Sequence, residues 1–87
     1  MPDFRFLDRG WDEYVWWQTQ DRRTLRKINN LLRDIARDPE SGIGEPEPLR
    51  GDLSGWWSRR ITSADRLVYR VEDDQVVIIA CRGHYED

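Results

Sequence analysis

The sequence predicts an α+β fold in which two helices from the first half of the chain pack on one face of a mainly antiparallel sheet. Two observations predict it. Apolar residues recur at three- and four-residue steps through most of residues 11–38, whereas residues 56–82 contain segments rich in β-branched and aromatic residues, separated by short polar turns. The 87 residues are expected to form a single domain, because so short a chain cannot build a second hydrophobic core.

The first half of the chain begins with a short strand, which is followed by a helix. Residues 4–7 alternate apolar and polar side chains, as a half-buried strand does, and an Asp-Arg-Gly segment ends the strand. Trp11, Tyr14 and Val15 then lie at helical spacing, with two acidic residues in the first turn, where they favour the helix dipole. These residues predict a first helix from Trp11 to about Thr19.

A second helix follows directly, and the two helices are expected to form a hairpin. Asp21 is a suitable N-cap, and the helix must stop before Pro39. Its apolar residues repeat at three- and four-residue steps: Leu25, Ile28, Leu32 and Ile35. Trp16 and Trp17 of the first helix could stack on nucleic-acid bases, but aromatic residues on an amphipathic helix more often belong to the core, where we place them.

Residues 39–55 are predicted to form a surface loop, since they include three prolines and four glycines but few apolar residues. Glu47 stands in this loop between Pro46 and Pro48. The two prolines restrict the backbone on either side, which suits a carboxylate that must point in one direction. Taken alone, however, a loop glutamate is more often a solvated side chain than a functional one.

The last third of the chain is predicted to form an antiparallel meander of strands at residues 56–62, 66–72 and 76–82. A three-residue turn would pair Glu72 with Val76. That register collects one apolar set for the helices to cover: Leu67, Tyr69, Val71, Val77, Ile79 and Cys81. The opposite, open face then holds a second set: Arg66, Val68, Arg70, Ile78, Ala80, Arg82 and, if the strand continues, His84. A two-residue turn would mix charged residues into the apolar set, so the three-residue turn is preferred.

Positive charge is concentrated in these strands. The net charge of −3 and the pI of about 5.1 argue against a protein that finds free nucleic acid by overall electrostatic attraction. Residues 50–71 nevertheless carry five arginines against two aspartates, and arginine can hold a phosphate with two hydrogen bonds. Alternation along the strand turns Arg59 away from the open face. Glu47, the other arginines, and His84 beside Tyr85 are together the residue types that a small metal-free ribonuclease needs.

Other features of the sequence exclude several classes of site. Cys81 is the only cysteine, so no internal disulfide forms, and a buried strand residue is a better interpretation than a reactive thiol. No Cys/His cluster has metal-site spacing, so we expect neither a metal nor another cofactor. No apolar segment approaches the ~20 residues of a membrane span, and the first residues lack a signal peptide's apolar segment. A cytoplasmic protein without membrane contact is therefore predicted.

Four segments that cover most of the chain carry a resemblance to a known family. They are WDEYVWWQ at 11–18, KINNLLRDI at 27–35, PEPLRGDLSGWWSRRITSADRLVYRV at 46–71 and ACRGHY at 80–85. These segments resemble the Txe/YoeB family of bacterial toxins, the ribosome-dependent messenger-RNA endonucleases of type II toxin–antitoxin modules. The resemblance implies a RelE-like fold, cleavage of mRNA in the ribosomal A site, neutralisation by a YefM-like antitoxin, and a free toxin that can be a homodimer.

The resemblance also implies roles for individual residues. Glu47 is the general base that takes a proton from a ribose 2′-hydroxyl, Arg66 binds the phosphate, and His84 is the general acid that protonates the departing 5′-oxygen. Supporting RNA-binding positions are Arg50, Arg60 and Tyr85. The implied reaction needs no metal ion.

Two functions follow from the resemblance and remain open. One is an active endoribonuclease toxin. The other is a catalytically decayed toxin that holds the antitoxin and tunes its binding to the operator. Three features differ from the family pattern: Gly83 where a larger residue is common, Glu45 where a basic residue is frequent, and an acidic extension of Glu86 and Asp87. The presence of all three implied catalytic residues favours the active enzyme.

Overall fold

The computed structural model describes residues 2–84 of the chain, and it confirms the predicted α+β fold. Two helices pack on one face of a five-stranded sheet. In chain order the elements are β1 (Asp3–Phe6), α1 (Asp8–Gln18), α2 (Arg22–Arg37), β2 (Glu47–Pro48), β3 (Trp57–Arg60), β4 (Arg66–Glu72) and β5 (Gln75–Ala80). The strand order is β1-β5-β4-β3-β2, in which β1 runs parallel to β5 and the other neighbouring pairs are antiparallel.

Helix α1 begins at Asp8, three residues before the predicted start at Trp11. The Trp11 amide donates to the Leu7 carbonyl over 2.9 Å, so the first helical turn includes the Asp-Arg-Gly segment that the sequence assigns to the end of the strand. Gly10 lies in this first turn, where the backbone of α1 comes close to the backbone of β5. A Cβ at this position would lie 2.5 Å from the Ile78 carbonyl oxygen, so only glycine allows α1 to lie this near to β5.

Asp21 caps α2, as the sequence predicts. Its carboxylate accepts hydrogen bonds from the Arg23 amide at 3.0 Å and from the Thr24 hydroxyl at 2.7 Å. These bonds, that from Thr24 above all, lower the pKa of Asp21. The helix ends at Arg37, before Pro39, which confirms the predicted stop. No helix in the described part of the chain is long and apolar enough to span a membrane.

The core lies between the helices and the sheet. Its buried apolar residues are Trp17, Ile28, Leu31, Leu32, Ile35, Ile61, Leu67, Tyr69, Val76, Ile78 and Cys81. The indole nitrogen of Trp17 donates to the Cys81 carbonyl over 2.7 Å, and Trp16 packs, partly buried, against the same cluster. Cys81 is fully buried, as predicted, and burial raises the pKa of its thiol to about 12. The thiol is therefore protonated at neutral pH, as expected for a core residue.

The predicted register of the hairpin between β4 and β5 is wrong at the turn. The turn has two residues, Asp73 and Asp74, so Glu72 pairs with Gln75 rather than with Val76. Both aspartates adopt positive φ angles, of 50° and 59°, as a two-residue type I′ turn requires. Aspartate tolerates this left-handed conformation better than most residues, which makes the tight turn accessible.

A β-bulge further along the same hairpin restores the predicted register at its far end. Tyr69 pairs with Ile78, but the preceding Val68 pairs with Ala80. The bulge removes the conflict that favours a three-residue turn, because the two strands begin in one register and end in the other. As a result Ile78, the cross-strand partner of Tyr69, belongs to the core. Val71, which the sequence assigns to the core face, is 45% exposed.

Three further face assignments are wrong, two in β5 and one just after it. Val77 and Ile79, which the predicted register assigns to the core face, do not belong to the core cluster. Arg82 does not join the open face. Its guanidinium carbon lies 3.6 Å from the ring centroid of Trp16 on α1, a cation–π contact that draws this arginine toward the helices.

Residues 39–55 are less irregular than the sequence predicts. Glu47 and Pro48 form the edge strand β2, which pairs with β3 through Glu47–Ser58 and Pro48–Trp57. Proline is tolerated here because an edge strand needs no amide donor on its free side. A short 3₁₀ helix follows at Gly51–Leu53. The sheet therefore extends to the residue predicted to be the general base.

Candidate active site

The open face of the sheet brings Glu47 and Arg66 into contact, although they lie 19 residues apart in the sequence. Arg66 Nη1 donates to Glu47 Oε1 over 3.0 Å. The side chain of Glu47 is 57% exposed and that of Arg66 only 22%. The arginine is thus held against the sheet, with the carboxylate in front of it and open to solvent.

The backbone of Arg66 fixes the segment that carries His84. The Arg66 amide donates to the Gly83 carbonyl over 3.0 Å, and the Gly83 amide donates to Asp65 Oδ1 over 2.8 Å. His84 follows directly and is exposed. Arg66 therefore contacts Glu47 through its side chain and anchors the residue before His84 through its main chain. The structure places the three predicted catalytic residues around one strand end.

Asp65 is a site residue that sequence reasoning missed. Besides binding the Gly83 amide, its second carboxylate oxygen accepts a hydrogen bond from the Thr62 hydroxyl over 2.7 Å, and its carbonyl accepts one from the Ile61 amide over 2.9 Å. The sequence identifies residues 63–65 only as a turn. A Thr-x-x-Asp spacing in that turn is the signal that could have marked Asp65 as an anchor.

Arg60 lies opposite Arg66 in the pairing of β3 with β4. Its guanidinium lies 3.6 Å from Glu45 Oε2, and both side chains are more than half exposed. The Arg60 amide also donates to the Gly44 carbonyl over 2.7 Å, so the strand holds the loop as well. Glu45, which differs from the family pattern, thus balances part of the positive charge beside the candidate phosphate site.

Of the two remaining supporting positions, Arg50 and Tyr85, the structure describes only Arg50. Arg50 is exposed and lies just before the 3₁₀ helix, on the loop between β2 and β3. Tyr85 lies outside the described residues, as do Glu86 and Asp87 of the acidic extension. The predicted roles of Arg50 and Tyr85 stay predictions.

Arg59 faces away from the site, as alternation predicts, and it is fully buried. It forms an ion pair with Asp34 of α2, and Nε donates to the Tyr69 hydroxyl over 3.1 Å. Its remaining hydrogen bonds go to three loop carbonyls, those of Asp38, Ser41 and Ile43, at 2.7, 3.0 and 3.0 Å. One buried side chain therefore joins α2 to the loop that leads into β2 and Glu47.

The Asp34 carboxylate accepts hydrogen bonds from three residues. Hydrogen bonds from Arg37 first, then from the Ile43 amide and Arg59, lower the pKa of Asp34 to about 2. A buried guanidinium is stable only when it is paired and hydrogen-bonded, so Arg59 needs these partners. Strand alternation predicts that Arg59 faces inward, but it does not predict which groups it binds.

The site as a whole is a charged surface with a buried floor. Val68 of β4 and Val77 of β5 are almost completely buried, and Ser58, the cross-strand neighbour of Glu47, is 2% exposed. Ser58 Oγ forms no hydrogen bond within the described residues. Arg70 stacks at 4.5 Å on the ring of Trp56. Acid–base and phosphate-binding groups are thus presented to solvent on a rigid support.

The described residues offer no group of three or more His, Cys, Asp or Glu side chains that could hold a metal ion. A single carboxylate beside an arginine is suited to proton transfer next to a bound phosphate. Metal-free chemistry stays a prediction.

Comparison with known proteins shows which family this chain belongs to. The family model described as the YoeB-like toxin of bacterial type II toxin-antitoxin systems matches residues 6–85. The toxin YoeB of Streptomyces coelicolor is 56% identical over 80 residues, which cover 92% of this chain and 95% of that protein.

Solved structures give the same result. The YoeB/ParE toxin from Agrobacterium tumefaciens is similar with a TM-score of 0.91 and 45% identity, covering 95% of this chain and 99% of that one. A Staphylococcus aureus YoeB in a heterotetrameric complex with YefM has a TM-score of 0.89 and 38% identity over 98% of this chain and 99% of that one. A YoeB dimer has also been solved from that organism. This chain therefore belongs to the family of YoeB-like toxins of bacterial type II toxin–antitoxin systems.

Proposed function

We propose that this toxin is a ribosome-dependent endoribonuclease that cleaves mRNA in the ribosomal A site without a metal ion. One observation carries the proposal: Arg66 contacts Glu47 at 3.0 Å while its backbone anchors the residue before His84. A base, a phosphate-binding cation and an acid are then available around a single phosphodiester.

In the proposed reaction Glu47 removes the proton from a ribose 2′-hydroxyl, and that oxygen attacks the adjacent phosphorus. Arg66 stabilises the negative charge that builds up on the phosphate oxygens, and His84 gives a proton to the departing 5′-oxygen. The products are a 2′,3′-cyclic phosphate and a 5′-hydroxyl. Before reaction, the phosphate replaces Glu47 as the partner of Arg66, which leaves the carboxylate oxygen available to accept the proton.

The need for a ribosome follows from charge and shape. The chain is acidic overall, with a net charge of −3, so free RNA is only weakly attracted. The site is also an open surface, which cannot by itself bend a nucleotide into line for attack. Bound mRNA in the A site is held at high local concentration and in a fixed conformation, and that supplies the missing orientation.

We also propose that a YefM-like antitoxin covers the arginine-bearing face of this toxin and that the free toxin forms a homodimer. The S. aureus relatives, which have been solved with YefM and as a dimer, support both proposals. The decayed-toxin alternative predicts antitoxin binding without cleavage. The assembled state of Glu47 and Arg66 gives that alternative no support.

Primer extension on translating ribosomes tests the proposal directly. Wild-type protein should produce new stops at the A-site codon of a defined mRNA, and the same mRNA without ribosomes should stay intact. Absence of new stops with a stoichiometric amount of folded toxin would overturn enzymatic activity. Equal cleavage of naked mRNA would overturn ribosome dependence.

A further inference from the structure

A buried hydroxyl group lies in the floor of the candidate site without a hydrogen-bond partner. Ser58 of β3 is 2% exposed, and its Oγ atom is itself buried and forms no hydrogen bond to any described residue. Such a group is unfavourable, because the hydroxyl has lost its hydrogen bonds to water and has gained none in the protein. The arrangement is easiest to explain if Ser58 gains a partner in another state of the site.

Ser58 lies on the same face of the sheet as the candidate base. It pairs with Glu47 of β2 on one side and with Val68 of β4 on the other, and cross-strand partners point to the same face. The Cβ atoms of such partners are about 4.5–5.5 Å apart. The Ser58 hydroxyl and the Glu47 carboxylate can therefore meet by rotation of their side chains, with no change in the backbone.

The ion pair between Arg66 and Glu47 explains why Ser58 is unpaired. Because Arg66 pairs with Arg60, it lies two residues further along β3 than Ser58. Its side chain crosses β3 beside Ser58 to reach Glu47, which lies two strand spacings away, or about 10 Å. While Arg66 holds the carboxylate at 3.0 Å, Glu47 is directed toward the arginine and Ser58 has no acceptor.

A simpler interpretation is that Ser58 is only a small residue that leaves room for Arg66 to cross β3. Alanine would leave the same room, and it would not bury an unpaired hydroxyl. The need for space therefore explains the size of the side chain at position 58 but not its hydroxyl group.

We propose that Ser58 is a positioning residue for the general base: its hydroxyl donates a hydrogen bond to the Glu47 carboxylate once Arg66 has turned to the substrate phosphate. The inference rests on the proposed ribonuclease function. A carboxylate has two oxygens, so Ser58 can hold one while the other accepts the proton of the ribose 2′-hydroxyl. Without this second donor Glu47, whose side chain is more than half exposed, could rotate into solvent when Arg66 leaves it.

Urea denaturation tests this exchange of partners without RNA. Ser58→Ala is compared in three backgrounds: wild type, Arg66→Met, and Arg66→Met combined with Glu47→Ala. In wild type the substitution removes an unpaired hydroxyl, so the denaturation midpoint should stay the same or rise. Arg66→Met keeps an apolar side chain beside Ser58 but releases the carboxylate, which Ser58 then binds. Ser58→Ala should therefore lower the midpoint in that background, and removal of Glu47 should abolish the lowering.

Single-turnover cleavage of ribosome-bound mRNA tests the catalytic consequence. At saturating toxin, Ser58→Ala should cleave roughly 10–100-fold more slowly than wild type, because the base is misplaced. The half-saturating toxin concentration should not change, since Arg66 still binds the phosphate. Ser58→Thr keeps a hydroxyl and should recover most of the rate, whereas Ser58→Cys, a weak donor, should not. Ser54→Ala, at an exposed serine just before β3, is the matched control and should cleave like wild type.

Two results would overturn the proposal. One is an equal midpoint shift for Ser58→Ala in all three backgrounds, which would mean that the hydroxyl does not bind Glu47 when Arg66 releases it. The other is cleavage by Ser58→Ala at the wild-type rate, which would leave Ser58 as a spacer. Neither result affects the proposed function, which fails only if wild-type toxin does not cleave. In that case the urea comparison still decides whether Ser58 binds Glu47.

Discussion

Arg66 donates a hydrogen bond to Glu47 over 3.0 Å, so the fold itself makes the candidate base and the candidate phosphate-binding residue neighbours. Their strands are separated by β3, and the longer arginine side chain spans that gap. Preorganisation of this kind reduces the entropy that substrate binding must supply. Because neither side chain belongs to the core, each can be replaced to test its role in cleavage with little effect on the fold.

Replacing Glu47 with alanine should abolish A-site cleavage while leaving the fold almost unchanged. The ion pair with Arg66 is largely exposed and stabilises by at most about 1 kcal/mol, which corresponds to a melting-temperature change below about 8 °C. Primer extension and thermal denaturation of the same preparation give both values. Glu40→Ala, another exposed glutamate on the preceding loop, is the matched control and should keep full activity. A severe loss of stability in Glu47→Ala would show that the residue is structural.

Cleavage should continue when transition metals are withdrawn. Within the described part of the chain no cluster of His, Cys, Asp or Glu could hold a metal ion, so the proton transfers are assigned to side chains alone. The measurement is primer extension with a chelator selective for transition metals, at constant Mg²⁺ so that the ribosomes stay intact. Chelator-sensitive cleavage that one added divalent ion restores would contradict the assignment.

Local signals in the sequence predict local structure well. Asp21 and Pro39 fix the ends of α2 because capping and proline chemistry act within one helical turn. The prediction of the β4–β5 register is wrong because the register depends on a bulge at Val68 and Tyr69, and no nearby residue in the sequence indicates that bulge. An apolar alternation that continues through both registers cannot choose between them.

In the site, too, the sequence predicts local features better than contacts between distant residues. Glu47, Arg66 and His84 enter through the resemblance to a family, since their separation in the sequence conceals their proximity. For Arg59 the sequence predicts the direction of the side chain but not its partners. Alternation correctly turns it inward, but its five partners come from a helix, a strand and a loop that only the folded chain brings together. Asp65 is missed because its hydrogen bond with the Gly83 amide joins residues that lie 18 positions apart in the sequence.

Replacing Arg59 with methionine should destabilise the protein strongly, although the residue lies away from the site. The change removes one of the donors to the Asp34 carboxylate and the guanidinium donor to three loop carbonyls, and breaking a buried pair in this way typically costs about 3–5 kcal/mol. Urea denaturation measures the loss. Arg60→Met, the adjacent exposed position, should cost about 0.5 kcal/mol or less. Equal stability of the two variants would contradict the role assigned to Arg59.

Acid should selectively weaken the interactions of Asp34. Its pKa in the folded protein, about 2, lies below the ordinary value of 3.8, so its stabilising contribution is complete above about pH 4 and disappears as the pH falls toward 2. The difference in unfolding free energy between wild type and Asp34→Asn should therefore shrink by roughly 1–2 kcal/mol over that interval. Urea denaturation at several pH values measures it. A difference that stays constant with pH would show that the carboxylate charge is not what stabilises the loop.

Asp65 should position His84 for proton transfer, since it binds the Gly83 amide over 2.8 Å immediately before the histidine. Asp65→Ala releases this anchor, and a displacement of about 1 Å at a reacting group can cost about 100-fold in rate. Asp65→Asn keeps an oxygen acceptor and should retain more activity. Asp52→Ala, an exposed aspartate on the 3₁₀ helix, controls for the charge change.

A substrate in which sulfur replaces the bridging 5′-oxygen separates positioning from general loosening of the fold. A thiolate leaves without being protonated, so the general acid becomes unnecessary for that substrate. If Asp65 acts through His84, Asp65→Ala should cleave the sulfur-containing mRNA nearly as fast as wild type does while remaining slow on ordinary mRNA. Equal slowing on both substrates would mean that the Gly83 anchor supports the whole site rather than the acid alone.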